Sequence, residues 1–128
     1  MTDDPFDAVC ALDDLTRHTF KTPGAGRTGR PFHVTAAGPE GLEVRTSRGG
    51  RLTLRAEAFS GALKVLRDLG PLDPEGWVRV SDDTLNAVLQ SENRDKAVTS
   101  YVLPLLEAAG RVELVRARPA RVRATDRE

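Results

Sequence analysis

The side chains of this chain that could carry out chemistry are few and far apart. There is one cysteine, Cys10, and there are two histidines, His18 and His33. Two histidines and one thiol are a poor ligand set for zinc, and their spacing matches no metal-binding motif. A catalytic site also needs titratable groups that converge, and the sequence places no nucleophile near a base. We therefore expect no enzyme activity, no cofactor and no metal site.

Two pairs of neighbouring acids, Asp13-Asp14 and Asp82-Asp83, are the other candidates for acid–base chemistry. Adjacent side chains on a helix point in different directions, so neither pair forms the close carboxylate dyad that such catalysis uses. Helix capping and solvation are their expected roles. Cys10 falls on the apolar side of the first predicted helix, where we expect a buried and unreactive thiol.

A glycine-rich stretch, GAGRTG at residues 24–29, formally matches the G-x-G-x-x-G fingerprint of dinucleotide-binding proteins. That fingerprint needs a strand before it and a helix after it. Here a predicted helix precedes the stretch, and Pro31 and a predicted strand follow it. We therefore interpret residues 21–31 as a flexible loop. The alternative is a basic arm that becomes ordered on a phosphate backbone through Arg27 and Arg30.

The composition is that of a soluble globular domain. Of the 128 residues, 39% are apolar and 30% are charged, which does not match a disordered chain. No apolar run is long enough for a membrane helix, and the N-terminus lacks the basic start and apolar middle of a signal peptide. A single cysteine excludes an internal disulfide and fits a reducing compartment. We expect one cytoplasmic domain over residues 1–128, without membrane contact.

Charge is distributed unevenly, although the net charge is zero. Residues 21–67 carry +6 and residues 111–128 carry +3, whereas residues 1–20 carry −4 and residues 68–110 carry −5. Basic charge thus falls mainly on predicted strands, and acidic charge falls on predicted helices. Arginine outnumbers lysine by 16 to 3, which indicates either a GC-rich genome or a role in phosphate and guanine recognition.

The first half of the chain predicts one helix and a small sheet. Within residues 1–20, Asp4 can cap a helix whose first position suits Pro5, and the helical spacing continues to about Thr19. Residues 32–55 instead alternate apolar and polar side chains, and two glycine-containing turns divide them into three strands. We expect a three-stranded antiparallel meander, whose outer face and second turn carry four arginines: Arg45, Arg48, Arg51 and Arg55.

An amphipathic helix, a short strand and a second helix follow the meander. Residues 56–69 place their large apolar side chains in one stripe, and Gly70-Pro71 ends this helix. Residues 77–80, WVRV, form a short alternating strand. Ser81 is a suitable N-cap for the next helix, which has acids in its first turn.

A third helix and a hairpin complete the predicted elements. Asp95 can cap the helix and Gly110 can end it. Pro104 lies inside it and predicts a kink or, alternatively, a break and a restart. Residues 111–124 alternate again around a turn, which predicts a hairpin. The last residues, 125–128, are expected to fray.

The order of elements over residues 56–124 resembles the winged helix-turn-helix superfamily, in which a helix, a strand, two helices and a hairpin wing follow one another. The resemblance rests on this order and on the short turn between the second and third helices, and it points to no single family. It implies an α+β fold. In that fold, an N-terminal helix and a three-stranded antiparallel meander precede a winged-helix-like core.

The resemblance also implies a way of binding DNA. In a winged helix, the start of the second helix of the helix-turn-helix enters the major groove, where polar side chains contact base edges. The matching residues here are Asn93, Arg94, Lys96, Thr99, Ser100 and Tyr101. Phosphate contacts would come from the wing, with Arg116, Arg118, Arg121 and Arg123, and from the meander, with Arg45, Arg48 and Arg51. We therefore predict a small prokaryotic DNA-binding protein that prefers duplex to single-stranded DNA.

The acidic residues support a second hypothesis. Residues 68–110 carry −5, and Glu92 and Asp95 flank the turn between the second and third helices. Acids beside a phosphate backbone are repelled, because the affinity comes mostly from cations. A non-catalytic protein-interaction or dimerisation module on the same scaffold would have this charge pattern. Its partner would be a second copy of the chain or another protein.

Overall fold

A computed structural model describes residues 4–13, 15–23, 29–93, 98–117 and 119–125. Its helices and strands confirm the predicted α+β class. The helices are α1 (Pro5–Cys10), α2 (Ala56–Leu69), α3 (Asp83–Glu92) and α4 (Thr99–Ala108). The strands are β1 (Phe20–Lys21), β2 (Pro31–Gly38), β3 (Gly41–Arg45), β4 (Arg51–Arg55), β5 (Val78–Arg79), β6 (Val112–Val115) and β7 (Arg121–Ala124).

The first sheet has four antiparallel strands in the order β1-β2-β3-β4. Strands β2, β3 and β4 are the predicted meander, and β1 adds an edge strand that the sequence pattern did not indicate. A strand of two residues is too short to show alternation. Alternate side chains along the meander, such as Phe32, Val34 and Val44, are buried, because successive residues of a strand face opposite sides.

The second sheet joins the short strand β5 to the C-terminal hairpin in the order β5-β7-β6. Val78 pairs with Val122, and Val122 also pairs with Leu114 across the hairpin. The predicted strand at residues 77–80 therefore forms the outer edge of the hairpin sheet, although only two of its residues are in the ladder.

Helix α2 is the centre of the core. It packs against α1, α3, α4 and β7, and its apolar stripe, which includes Phe59 and Leu66, is buried. Gly61 lets α2 approach α3, because a Cβ atom there would lie 3.3 Å from the side chains of Val88 and Glu92. The hairpin sheet and the helices thus share one apolar core.

The first sheet reaches this core through aromatic side chains. The ring of Phe32 lies 5.7 Å from that of Phe20 and 5.1 Å from that of Tyr101 on α4. These contacts bring the meander against the N-terminal half of α4. No helix among the described residues is long and apolar enough to cross a membrane.

The first helix is shorter than predicted. It ends at Cys10 rather than near Thr19, and the Leu12 amide donates to the Val9 carbonyl in a closing turn. The chain then bends so that Leu15 and Phe20 enter the core from a non-helical segment. Their tertiary packing outweighs the approximate helical spacing from which the longer helix was predicted.

The last helix is continuous through Pro104, which lies buried within α4. The alternative to a kink, a break and a restart at this residue, is therefore wrong. Gly110 has a φ of 75° and follows the helix, as expected for a glycine that ends one. The predicted cap, Asp95, lies outside the described residues, and α4 begins at Thr99 after Val98.

Candidate nucleic-acid interface

A polar cleft of about 370 Å³ lies between the meander and the start of α4. Three separate parts of the chain form most of it: the segment that leads into β2, the turn between β3 and β4, and the first turn of α4. Its described lining residues include two arginines and no acid: Thr22, Arg30, Pro31, Thr46, Ser47, Arg48, Asn86, Thr99, Ser100 and Tyr101. The composition of this lining favours an anionic ligand.

The turn between β3 and β4 is fixed by hydrogen bonds around Thr46. The Thr46 amide donates to the Gly50 carbonyl (2.9 Å), and the Gly50 amide donates to the Thr46 hydroxyl (3.1 Å). Gly49 has a φ of 81°, a backbone conformation that would be strained in a residue with a side chain. This compact turn holds Arg48 at its exposed tip.

Arg30 is held from the other side of the cleft by a reciprocal pair of hydrogen bonds. The Thr22 amide donates to the Arg30 carbonyl (2.9 Å), and the Arg30 amide donates to the Thr22 hydroxyl (2.8 Å). The exposed Arg30 side chain thus projects from an anchored backbone. The predicted flexible loop includes residues 24–28, and with them Arg27, which lie outside the described residues.

The start of α4 contributes an electropositive end and a buried hydroxyl. Val98 occupies the N-cap, and its side chain has no acceptor for the free amides of the first turn. Thr99 is only 4% exposed, and its hydroxyl oxygen has no hydrogen-bond partner among the described residues. A buried polar group without a partner costs about 1–3 kcal/mol. The helix dipole and the amides of a first turn favour an anion at such a position.

Two exposed arginines, Arg45 and Arg51, extend the basic surface beyond the cleft, and a third, Arg48, lines the cleft itself. Arg45 and Arg51 are directly opposite each other on β3 and β4, and Arg48 lies in the turn that joins these strands. None of the three forms an ion pair with an acid of the described residues. Like charges opposite each other destabilise a sheet, so this arrangement has a cost that a bound polyanion would relieve. We call these three residues the meander arginines.

The arginines of the hairpin have internal partners instead. Arg116 lies 2.9 Å from a carboxylate oxygen of Glu107, and Arg123 lies 3.0 Å from one of Glu113. The guanidinium of Arg123 also lies 4.4 Å from the ring centre of Trp77, and that of Arg121 lies 5.6 Å from it.

Arg123 donates in addition to the Glu75 carbonyl at 3.0 Å. We call Arg116, Arg121 and Arg123 the hairpin arginines. Phosphate contacts predicted for them would compete with these interactions, and the fourth predicted wing residue, Arg118, lies outside the described residues.

Asn93 does not fit its predicted role as a reader of base edges. It is 2% exposed. Its side-chain oxygen accepts the Arg55 amide at 2.6 Å, and its side-chain nitrogen donates to the Thr53 carbonyl at 2.9 Å. The amide therefore pairs with the outer edge of β4 as a neighbouring strand would, and it ties the end of α3 to the meander.

The other predicted base-contacting residues divide into two groups. Thr99, Ser100 and Tyr101 line the cleft, whereas Arg94 and Lys96 lie outside the described residues. Thr99 is buried, so it is not on an exposed helix face that could enter a groove. Thr22, Thr46 and Ser47 also line the cleft, but no role was predicted for them from the sequence. Their one indication there is that they carry hydroxyl groups and stand beside turn residues.

The residues first considered for catalysis remain apart. Cys10 is exposed rather than buried, because α1 ends at that residue. Partial desolvation raises the pKa of its thiol, and the carboxylates of Asp7 and Asp4 raise it further, which disfavours the reactive thiolate. Among the described residues, no three His, Cys, Asp or Glu side chains lie close enough to hold a metal ion.

Comparison with protein-family models, with curated proteins and with solved structures finds no match for this chain. The residues of the candidate site are therefore the basis for assigning a function. The cleft and the meander arginines form one basic surface, which consists of anchored cations, hydroxyl donors and a helix N-terminus. We call this surface the meander face, and its arginines are Arg30, Arg45, Arg48 and Arg51.

Proposed function

We propose that this protein binds nucleic acid, with DNA as the leading ligand, through the meander face. The observation that carries the proposal is the arrangement of Arg45 and Arg51 opposite each other, with Arg48 in the turn between them. Exposed guanidinium groups without acid partners suit phosphate oxygens, because their donors match phosphate geometry in pairs. The nearby start of α4 adds a further preference for anions.

The proposal includes a winged-helix-like scaffold. The order α2, β5, α3, α4 and the β6–β7 hairpin supports it. On that scaffold α4 would be the helix nearest to the ligand. The main phosphate contacts are assigned to the meander rather than to the hairpin, because the hairpin arginines already have internal partners. We infer a small prokaryotic, cytoplasmic protein without catalytic activity.

Nucleic acid is favoured over a small anion because the cations are distributed along a surface. Arg45 and Arg51 are on the sheet, outside the cleft lining, while Arg30 and Arg48 are within it. A polymer with regularly spaced phosphates can contact all four, and each contact releases counterions. The net charge of zero does not oppose this, because the cleft lining includes two arginines and, among its described residues, no acid.

The protein-interaction hypothesis receives less support. A stable protein interface usually has an apolar centre, and Leu72, with 82% of its surface exposed, is the one large exposed hydrophobic residue of the described part of the chain. A single exposed leucine is ordinary on a soluble protein. A small apolar area does not exclude a polar partner, so the binding experiment must separate the two hypotheses.

Fluorescence anisotropy of labelled duplex and single-stranded DNA over a salt series tests the proposal. We expect binding whose log K falls linearly with log salt, with a slope of about −3 to −4 for up to four phosphate contacts to duplex DNA. Duplex should bind more tightly than a single strand of the same length. If neither form binds at low salt, the proposal is wrong and the interaction module becomes the leading function.

A further inference from the structure

We propose that the cleft at the start of α4 binds a phosphate monoester, and that its source is the terminal phosphate of a nucleic-acid strand. This inference rests on the proposed function and names the chemical group that the cleft recognises. The remaining meander arginines, Arg45 and Arg51, then contact the backbone that leads away from that end.

The first argument is the shape of the site. The cleft is a recess formed mostly by three separate parts of the chain, and the start of α4 lines it with Thr99, Ser100 and Tyr101. The turn carrying Arg48 and the segment carrying Arg30 and Pro31 contribute to its walls. A phosphate within a duplex has the chain continuing on both sides and cannot enter such a recess. A terminal phosphate has the chain on one side only.

The second argument is charge. The lining includes the guanidinium groups of Arg30 and Arg48 and, among its described residues, no carboxylate. A phosphate monoester carries about −1.5 to −2 at neutral pH, more than the single charge of a phosphodiester. Two arginines and a helix N-terminus therefore favour the monoester more strongly than an internal phosphate.

The third argument is the supply of hydrogen-bond donors. The Thr99 hydroxyl has no hydrogen-bond partner in the described part of the chain, and a phosphate oxygen would accept a hydrogen bond from it. The hydroxyl oxygens of Thr22 and Thr46 accept backbone amides, which leaves their O–H groups as donors. A monoester presents three terminal oxygens, so it can use donors from several sides of the cleft at once.

The volume of the cleft agrees with such a ligand. At about 370 Å³, it falls in the lower part of the range for small-molecule pockets, roughly 300–1,000 Å³. A phosphate with its attached sugar belongs to this size class. A free mononucleotide offers the same chemistry, so the experiment must separate a strand end from a free nucleotide.

The test compares oligonucleotides of one sequence that carry a 5′-phosphate, a 3′-phosphate or only hydroxyl ends, each internally labelled for anisotropy. We expect one phosphorylated form to bind about tenfold more tightly than the hydroxyl form, because charge-assisted hydrogen bonds discriminate by at least this factor. Equal binding of all three would overturn the inference and leave the proposed function intact.

Failure of every oligonucleotide to bind would overturn the proposed function and the strand-end source together. Titration with a mononucleotide and with inorganic phosphate, followed by NMR, then reports on the cleft itself.

If a phosphorylated oligonucleotide does bind, a competition experiment tests the source of the phosphate. A mononucleotide and inorganic phosphate should displace the phosphorylated oligonucleotide only at far higher concentration. A mononucleotide that binds as tightly as the phosphorylated strand would contradict the strand-end source.

Thr99→Val tests the hydroxyl, because valine keeps the shape of the side chain. We expect the preference for a phosphorylated end to fall by about three- to fivefold, because one of several contacts to the phosphate is lost, while the hydroxyl-ended strand binds as before. The melting temperature should stay the same or rise, since the unpartnered hydroxyl is removed. A lower melting temperature with an unchanged preference would show a structural role instead and contradict the inference.

Two further variants complete the design. Thr35→Val is the matched control, because Thr35 is exposed on β2 and is not in the cleft lining; it should leave the preference unchanged. Ser100→Ala, at an exposed position in the lining, should fold normally and reduce the preference by a smaller factor than Thr99→Val. If Thr35→Val reduces the preference as much as these variants, the cleft is not the site.

Discussion

Two pairs of arginines on strands of this protein have different surroundings. Arg121 and Arg123 alternate on β7, and they lie near Trp77, with Glu113 pairing with Arg123. Arg45 and Arg51 face each other on β3 and β4, without an acid partner in the described residues. Both pairs consist of arginines on strands, so their neighbours decide whether an arginine stabilises the fold or remains available to a ligand.

The energies of the two groups have opposite signs in the free protein. An exposed ion pair contributes about 0–1 kcal/mol, and an arginine over an exposed aromatic ring about 0.5–1 kcal/mol. The Arg116 and Glu107 side chains are each 33% exposed, so solvent weakens their attraction. The meander arginines repel one another instead. The hairpin arginines therefore stabilise the fold modestly. The meander arginines destabilise it through their mutual repulsion, which bound phosphate would relieve.

The largest effect is expected when all three meander arginines are replaced. Changing Arg45, Arg48 and Arg51 to Gln should weaken duplex binding by more than about 100-fold, or about 3 kcal/mol, because three charge-assisted contacts are lost. The salt slope should fall by about 0.9 for each contact. Chemical denaturation should show equal or slightly higher stability, since the repulsion across the strands is removed.

The matched control is the corresponding triple change of the hairpin arginines. Replacing Arg116, Arg121 and Arg123 with Gln should lower the free energy of unfolding by about 1–2 kcal/mol and change DNA binding little. The reverse result, with binding lost in the hairpin variant and kept in the meander variant, would make the hairpin a DNA-contacting wing and contradict the proposed face.

The next effect concerns the support of the meander rather than its charge. Asn93→Ala should lower the free energy of unfolding by about 2 kcal/mol. The reason is that the Thr53 carbonyl and the Arg55 amide lose their hydrogen bonds to the Asn93 side chain. Urea denaturation measures it. The sequence preference of any DNA binding should stay unchanged, because the side chain is buried.

Asn86→Ala is a suitable comparison for this variant. Its side-chain nitrogen also donates to two carbonyls, those of Val80 and Asp82, but Asn86 is only half-buried. Water can replace part of these bonds, so a smaller loss of stability is expected. An Asn93 variant that is fully stable but has an altered base preference would restore the role first predicted for that residue.

The sequence predicted the regular elements well where their signal is local. The apolar stripe of residues 56–69 and the alternation of β2, β3 and β4 are properties of neighbouring residues. The end of α1 and the pairing of β1 were not predictable in this way. They depend on Leu15 and Phe20 packing against residues that are distant in the sequence.

The candidate site was only partly predictable for the same reason. Exposed arginines at a turn can be read from the pattern, so Arg48 was identified correctly as a surface cation. The cleft requires Thr22, Arg48 and Thr99 to meet, and no local pattern relates these three positions. Asn93 illustrates the opposite error, since its residue type suits base recognition and only its burial reveals a structural role.

The smallest expected effect tests the hairpin directly, with Trp77 as the reporter. Trp77 is the one tryptophan of the chain, and Arg123 lies over its ring. Arg123→Gln should lower the free energy of unfolding by about 0.5–1 kcal/mol and change the tryptophan emission, because a cation leaves the ring face. DNA binding should remain close to that of the unchanged protein.

The same fluorescence separates the two groups of arginines without any substitution. If DNA binds the meander face, Arg123 stays on the ring and the emission of Trp77 should change little when saturating DNA is added. If the hairpin contacts phosphate, Arg121 and Arg123 must leave Trp77, and the emission should then shift as it does in Arg123→Gln. A shift of that size would place DNA on the hairpin. It would also mean that the hairpin arginines exchange their internal partners for phosphate when DNA binds.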